Sequence, residues 1–167
     1  MALIVEDGTG LTDAESYISV ANADAYHLAM GNTSWAALAT LAKEQALRRA
    51  TQHLDTNYTF AGDRKTITQR LEWPRISGEL YYAYTTFTYN YAWPVRCVQE
   101  SCAELALRSS SATLIPDETQ GIKSEKIGPI TVVYADGSSS QPSYTLIDNM
   151  LRSVTRAGPG QLRVERI

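Results

Sequence analysis

Two histidines, His27 and His53, and two cysteines, Cys97 and Cys102, are the residues of this 167-residue chain whose chemistry best suits metal binding or nucleophilic attack. A metal site needs several such groups converging, as in His-Glu-x-x-His or paired Cys-x-x-Cys spacings, and neither pattern occurs. The histidines fall in separate helical segments, beside Tyr26 and Leu54, which predicts satisfied, partly buried imidazoles. The cysteines stand five apart. On a helix that is about 140° of rotation and about 7.5 Å of rise, too far for a disulfide, so both are expected to be reduced. Gly8-Thr9-Gly10 lacks the third glycine of a dinucleotide-binding loop and reads as a turn. There is no Gly-x-Ser-x-Gly elbow. The carboxylate pairs Glu6/Asp7 and Asp117/Glu118 sit in polar stretches and read as solvated charge. The expectation is a protein with no catalytic, cofactor-binding or metal-binding residues, and not an enzyme.

Nucleic-acid binding has two candidate supports. Arg48-Arg49 lies on a helical segment, and Tyr81, Tyr82, Tyr84, Phe87, Tyr89 and Tyr91 crowd one short stretch. Single-strand binders stack bases on aromatic side chains beside a cationic groove. Here residues 80–95 contain no Lys or Arg, and Arg48 and Arg49 read more simply as the exposed face of an amphipathic helix. The whole chain holds 15 Lys plus Arg against 18 Asp plus Glu, a net −3, with a pI near 5.4. A dedicated nucleic-acid binder more often has a pI above about 9. The charge is lopsided. Residues 1–42 carry five acids and no Lys or Arg, whereas the last sixteen residues carry four arginines and one glutamate. Such ends complement one another head to tail between copies.

The elements that would carry these residues follow from periodicity. Ser19 is a good N-cap for a helix with Val20, Ala23, Tyr26, His27 and Met30 on its spacing, stopped by Gly31. Thr40 is the expected cap of the strongest helix, where Leu47, Ala50, Thr51, Leu54 and Tyr58 form one stripe and Lys43, Glu44, Arg48 and Arg49 face elsewhere. Trp35 and Leu38 suggest a short helical lid. Trp73-Pro74 forces extended backbone, and Trp93-Pro94 opens the next helix with proline in its first turn. That helix buries Val95, Val98, Cys102, Leu105 and Ala106 and frays at Ser109-Ser110-Ser111. A final helix carries Ile147, Leu151 and Val154.

The predicted fold is mainly α: one domain over residues 1–167, roughly a four-helix bundle, with three extended pieces. These are a β-hairpin-like, aromatic arm over about 76–93, a short strand over about 127–134, and an extended tail over 158–167. Trp73, Pro74, Arg75, Trp93 and Pro94 are its expected structural anchors, holding the arm to the bundle. An uncharged aromatic arm is a poor solvated loop and a good subunit interface. Leu162, Arg163, Val164, Glu165, Arg166 and Ile167 alternate apolar and charged residues like an edge strand in need of a partner. The start lacks the basic and long apolar pattern of a signal peptide, and no apolar run reaches about 18 residues, so a non-secreted protein without a membrane partner is expected.

Several motifs carry a resemblance that spans the chain. Val5-Glu6-Asp7-Gly8-Thr9-Gly10, Asp13-Ala14-Glu15-Ser16-Tyr17, Tyr26-His27, Trp35, Ala46-Leu47-Arg48-Arg49-Ala50-Thr51, Leu71-Glu72-Trp73-Pro74-Arg75 and Ile127-Gly128-Pro129 resemble small phage and prophage proteins. The pattern is similar to the head–tail connector (adaptor, head completion) proteins of long-tailed phages. Some of their members are labelled DnaT-like single-stranded-DNA-binding proteins. The connector resemblance implies a structural virion protein of the neck, made in the host cytoplasm, that forms a homo-oligomeric ring, usually of twelve copies. It implies as partners the portal protein, docked by the tail 162–167, and the next neck or tail protein. DNA is then transient cargo in the lumen. The alternative implied by the other label is a single-stranded-DNA-binding protein.

Overall fold

The computed structural model describes residues 2–76, 79–82, 85–88, 95–114, 124–127, 130–133 and 144–155. Five helices hold its core: α1 (Val20–Ala29), α2 (Thr33–Ala36), α3 (Thr40–Asn57), α4 (Arg96–Ser109) and α5 (Thr145–Leu151). Strands occur among the described residues only as antiparallel pairs: β1 (Asp63–Arg64) with β2 (Arg75–Ile76), β3 (Glu79–Tyr82) with β4 (Thr85–Thr88), and β5 (Ser124–Ile127) with β6 (Ile130–Val133).

The mainly helical expectation therefore holds in its coarse form. α2 is a four-residue turn and α5 has seven residues, so the core is a long pair, α3 and α4, flanked by shorter pieces. Leu47, Ala50, Thr51 and Leu54 of α3 and Val98, Cys102, Leu105 and Ala106 of α4 are buried, as the helical spacing requires. The pair runs antiparallel: Ser109 Oγ donates to the Ala46 carbonyl at 3.2 Å, while the Thr51 hydroxyl meets Cys102 Sγ at 3.4 Å. Ala46, Ala50, Ala103 and Ala106 are all fully buried, and small side chains let such backbones approach closely.

Local differences from the sequence reading have physical causes. Ser19 does cap α1, accepting from the Asn22 N–H at 3.1 Å. Thr40 does not cap α3. It is the first helical residue, and Ala39 takes the cap position without a side-chain bond. α4 begins at Arg96 with Val95 as N-cap. Ser109, Ser110 and Ser111 do not fray α4. Their hydroxyls donate to the Ala106, Leu107 and Arg108 carbonyls at 2.9, 2.6 and 3.1 Å, satisfying acceptors that a helix end leaves open. The strand expected over 127–134 is divided between β5 and β6, with Ile127 paired to Ile130. The sequence between them is Gly128-Pro129, and proline cannot donate to a ladder, so a single strand through it is disfavoured.

Lys43, expected on the solvent face, is withdrawn to 9% exposure. Its ammonium meets Asp24 of α1 at 2.9 Å and lies 5.7 Å from the centre of the buried Trp35 ring. Glu6, expected to be solvated, is 2% exposed. Its carboxylate accepts the N–H groups of Gly8, Gly10 and Leu11 at 2.9, 2.8 and 3.0 Å, and so builds the turn that Gly8-Thr9-Gly10 was read to be. Gly10 is needed there: its φ is +86°, and a Cβ would stand 2.8 Å from Thr66 Oγ1.

Candidate functional site

Two built regions flank α3. The first is a corner around Trp73. Trp73 is fully buried, its preceding-proline motif carries a cis Trp73–Pro74 bond, and its ring meets Phe60 edge-on at 5.7 Å. Tyr17, also fully buried, donates its hydroxyl to Asp55 and accepts the Trp73 N–H at 3.3 Å. The Glu72 N–H reaches the other Asp55 oxygen at 3.4 Å. Burial pushes the Asp55 carboxyl up to about 6, against the opposing pull of the Tyr17 hydrogen bond. Glu72 is shared by two guanidiniums, Arg64 and Arg75, and Arg75 also donates to the Ala61 carbonyl at 2.9 Å and the Gly62 carbonyl at 2.5 Å. Asp55, Glu72, Arg64 and Arg75 all find polar partners within the corner, and the fully buried Trp73 ring fills it, so the corner is an anchor. Trp73, Pro74 and Arg75 hold β2 against β1; Trp93 and Pro94 lie outside the described residues.

The second region is an open groove of about 680 Å³ between the C-terminal half of α3 and the end of α4. Arg49, Gln52, His53 and Thr56 line it from α3, and residues 109–114 line it from α4 and the chain beyond. The spacing 49, 52, 53, 56 is one helical stripe, which is why these side chains share a wall. Arg49 is exposed and donates to the Ser109 carbonyl at 3.2 Å, leaving most of its five N–H groups for other acceptors. His53 closes the back of the wall, 6% exposed, with its ring edge-on to Tyr144 at 5.4 Å and Tyr58 at 6.3 Å. Burial lowers its pKa despite the Asp148 carboxylate nearby, so the ring is neutral near pH 7. The Tyr144 hydroxyl donates to the Leu114 carbonyl at 3.1 Å, pinning together the points where the chain leaves for β5–β6 and returns to α5.

The groove's lining contains no aspartate or glutamate. That matters beside the many described cations that are already neutralised. Lys43, Arg48, Arg64, Arg75, Arg96 and Arg108 each pair with a carboxylate. Arg48 and Arg49, adjacent in sequence, thus diverge. Arg48 is half-buried against Glu15 at 2.8 Å, while Arg49 faces the groove and has no carboxylate partner among the described residues.

The remaining predicted site residues are distributed unevenly. Tyr81 and Tyr82 lie on β3 and Phe87 on β4, with Leu80 paired to Phe87 and Tyr81 to Thr86, so the hairpin expected in the arm is formed. Tyr84, Tyr89 and Tyr91, and the tail residues Leu162, Arg163, Val164, Glu165, Arg166 and Ile167, lie outside the described residues. His27 is a satisfied core histidine, bonded to the Ala103 carbonyl at 3.1 Å and Asn32 at 3.0 Å. Cys97 and Cys102 are free thiols, and burial pushes Cys102 up to about 11. No group of three or more metal-ligating side chains occurs among the described residues, and no described helix is long and apolar enough to cross a membrane. Sequence reasoning missed the groove. Its usable signal was the polar stripe at 49, 52, 53 and 56 together with the serine run at 109–111.

The comparison of the chain with protein families is specific: a family described as "putative DnaT-like ssDNA binding protein" matches residues 1–167. The chain belongs to that family. No curated protein and no solved structure matches it.

Proposed function

We propose that this protein binds single-stranded DNA without catalysing a reaction. The family match over the whole chain carries this reading. A net charge of −3 opposes long contact with a polyanion, so binding must be local and weak, with a salt dependence set by the few phosphates it contacts. The sequence of β3 and β4 holds Tyr81, Tyr82 and Phe87, residue types on which bases stack with little regard to sequence. Fluorescence anisotropy with labelled oligo-dT tests this. Binding at low salt that weakens as salt rises, and weakens on Tyr81→Ala plus Tyr82→Ala, is expected. An unchanged anisotropy at low salt overturns the reading.

A second reading, the phage head–tail connector, is favoured by one observation. Among the described residues, β3 and β4 pair only with each other, as do β5 and β6, and the chain runs to these pairs from opposite ends of α4. Self-paired strands keep free edges that a neighbouring copy can satisfy. On this reading the protein forms a ring, usually of twelve copies, at the virion neck. The arm contacts neighbouring copies, residues 162–167 dock on the portal protein, another neck or tail protein binds below, and DNA only passes through. Deleting residues 162–167 is then expected to abolish portal association while the core stays folded. Absence of the protein from purified virions removes this reading.

A further inference from the structure

We infer that the α3–α4 groove is where a single strand makes its backbone contact, with one phosphate seated on the Arg49 guanidinium and the adjoining sugar and base edge on Gln52 and the serine hydroxyls beyond α4. The inference rests on the single-stranded-DNA reading and adds the site to it. Three observations carry it. The groove holds about 680 Å³, room for a nucleotide-sized group. Its lining has an exposed arginine and no carboxylate, so a phosphate entering it meets a cation and no like charge in the wall. The other paired arginines cannot serve without first breaking an ion pair, as Arg48 would with Glu15 and Arg75 with Glu72.

The hydroxyls of Ser110 and Ser111 donate to α4 carbonyls, which leaves their oxygens able to accept from a base N–H, such as the imide N–H of thymine. Gln52 is exposed and offers both a donor and an acceptor one turn from Arg49. The buried, neutral His53 takes no part in holding the phosphate; with Tyr144 and Tyr58 it stiffens the wall behind. A groove with a single cation takes a single phosphate. Affinity gained here is modest and insensitive to base identity, since phosphate contacts position a strand without reading it.

The test uses the full chain and a labelled oligo-dT longer than the roughly 16 nucleotides that one binding module covers. Arg49→Gln removes the charge. Gln52→Glu adds an opposing charge at a side chain that does not touch Ser109, so it tests the groove without disturbing the end of α4. Thermal melts of both variants establish that they are folded. The expected result is a loss of affinity on the order of tenfold for R49Q and severalfold for Q52E. The slope of log K against log salt should also become shallower by about 0.7 in R49Q, the signature of one lost single-strand phosphate contact. Wild-type binding with both folded variants unchanged in affinity and slope overturns the groove assignment and leaves the DNA-binding reading standing. Absence of wild-type binding overturns both.

Discussion

The Trp73 corner and the Arg49 groove are both built on α3, and they use polar groups in opposite ways. In the corner, Asp55 of α3 is buried against Tyr17, and Glu72 is divided between Arg64 and Arg75. Each of these charges has a partner within the corner. In the groove, two turns earlier on the same helix, Arg49 faces solvent with only a backbone carbonyl for company. Interactions that close on themselves specify the fold; a donor left facing an unobstructed space is available to something else. The adjacent pair Arg48-Arg49 marks the divide, one residue inside the network and the next outside it.

Breaking the corner should have the largest effect on stability. Trp73→Ala removes a fully buried ring, and truncations of this kind cost about 3–5 kcal/mol. Urea unfolding checks this, and a loss below about 1 kcal/mol would mean that the corner is not an anchor. The pH dependence comes next. The folded Asp55 carboxyl sits at about 6 against an ordinary 3.8, so the folded state holds the proton more tightly than the unfolded one. Its contribution to stability is fully present below pH about 4 and is lost as pH rises to 6. Two pH units of displacement correspond to roughly 3 kcal/mol. His27 and His53, lowered by burial, act in the opposite sense, losing stability as pH falls below 6.5. The difference between wild type and Asp55→Asn in urea midpoints at pH 4 and pH 7 isolates the aspartate; a difference independent of pH contradicts the assignment.

Glu72→Gln should cost roughly 2 kcal/mol, because two guanidiniums lose a charged acceptor at once. Equal unfolding midpoints for this variant and wild type would show that the pair of bridges adds nothing to the corner. The smallest stability effect belongs to the groove. Arg49→Gln forfeits one contact to the carbonyl end of α4, worth under about 1 kcal/mol. A melting curve for R49Q as depressed as that of W73A would erase the contrast between the two regions.

Much of the core was legible because it depends on local spacing. Leu47, Ala50 and Leu54 of α3 and Val98, Cys102 and Leu105 of α4 repeat at helical intervals, and Ser19 announces its helix by residue type alone. The run of Tyr and Thr in the arm, residue types that favour pleated backbone, likewise pointed to the β3–β4 hairpin. What escaped depends on distant partners. Lys43 looks like a surface lysine until Asp24 and Trp35 of other helices meet it. Glu6 looks solvated until three N–H groups of its own turn converge on it. The serines after α4 look like a fraying end because their hydroxyl geometry is invisible in sequence. The groove is missed for the same reason: neither of its walls is a motif, and only the antiparallel packing of α3 on α4 brings residues 49–56 opposite residues 109–114. The predicted strand through Gly128-Pro129 failed on a rule that was readable, proline's lack of a donor, outweighed by a run of β-branched neighbours.

α4 has a mechanical consequence. The chain arrives at its first turn from β3–β4 and departs from its last toward β5–β6, so its 14 residues set about 21 Å of stiff backbone between the two departures. Anything that takes hold of both hairpins tugs on this rod lengthwise. Such tension acts along the helix's own hydrogen bonds, and sliding is resisted by side chains keyed into α3. The length of α4 thereby sets how far apart along the core the chain takes its leave toward the two hairpins, and α3 holds that span fixed.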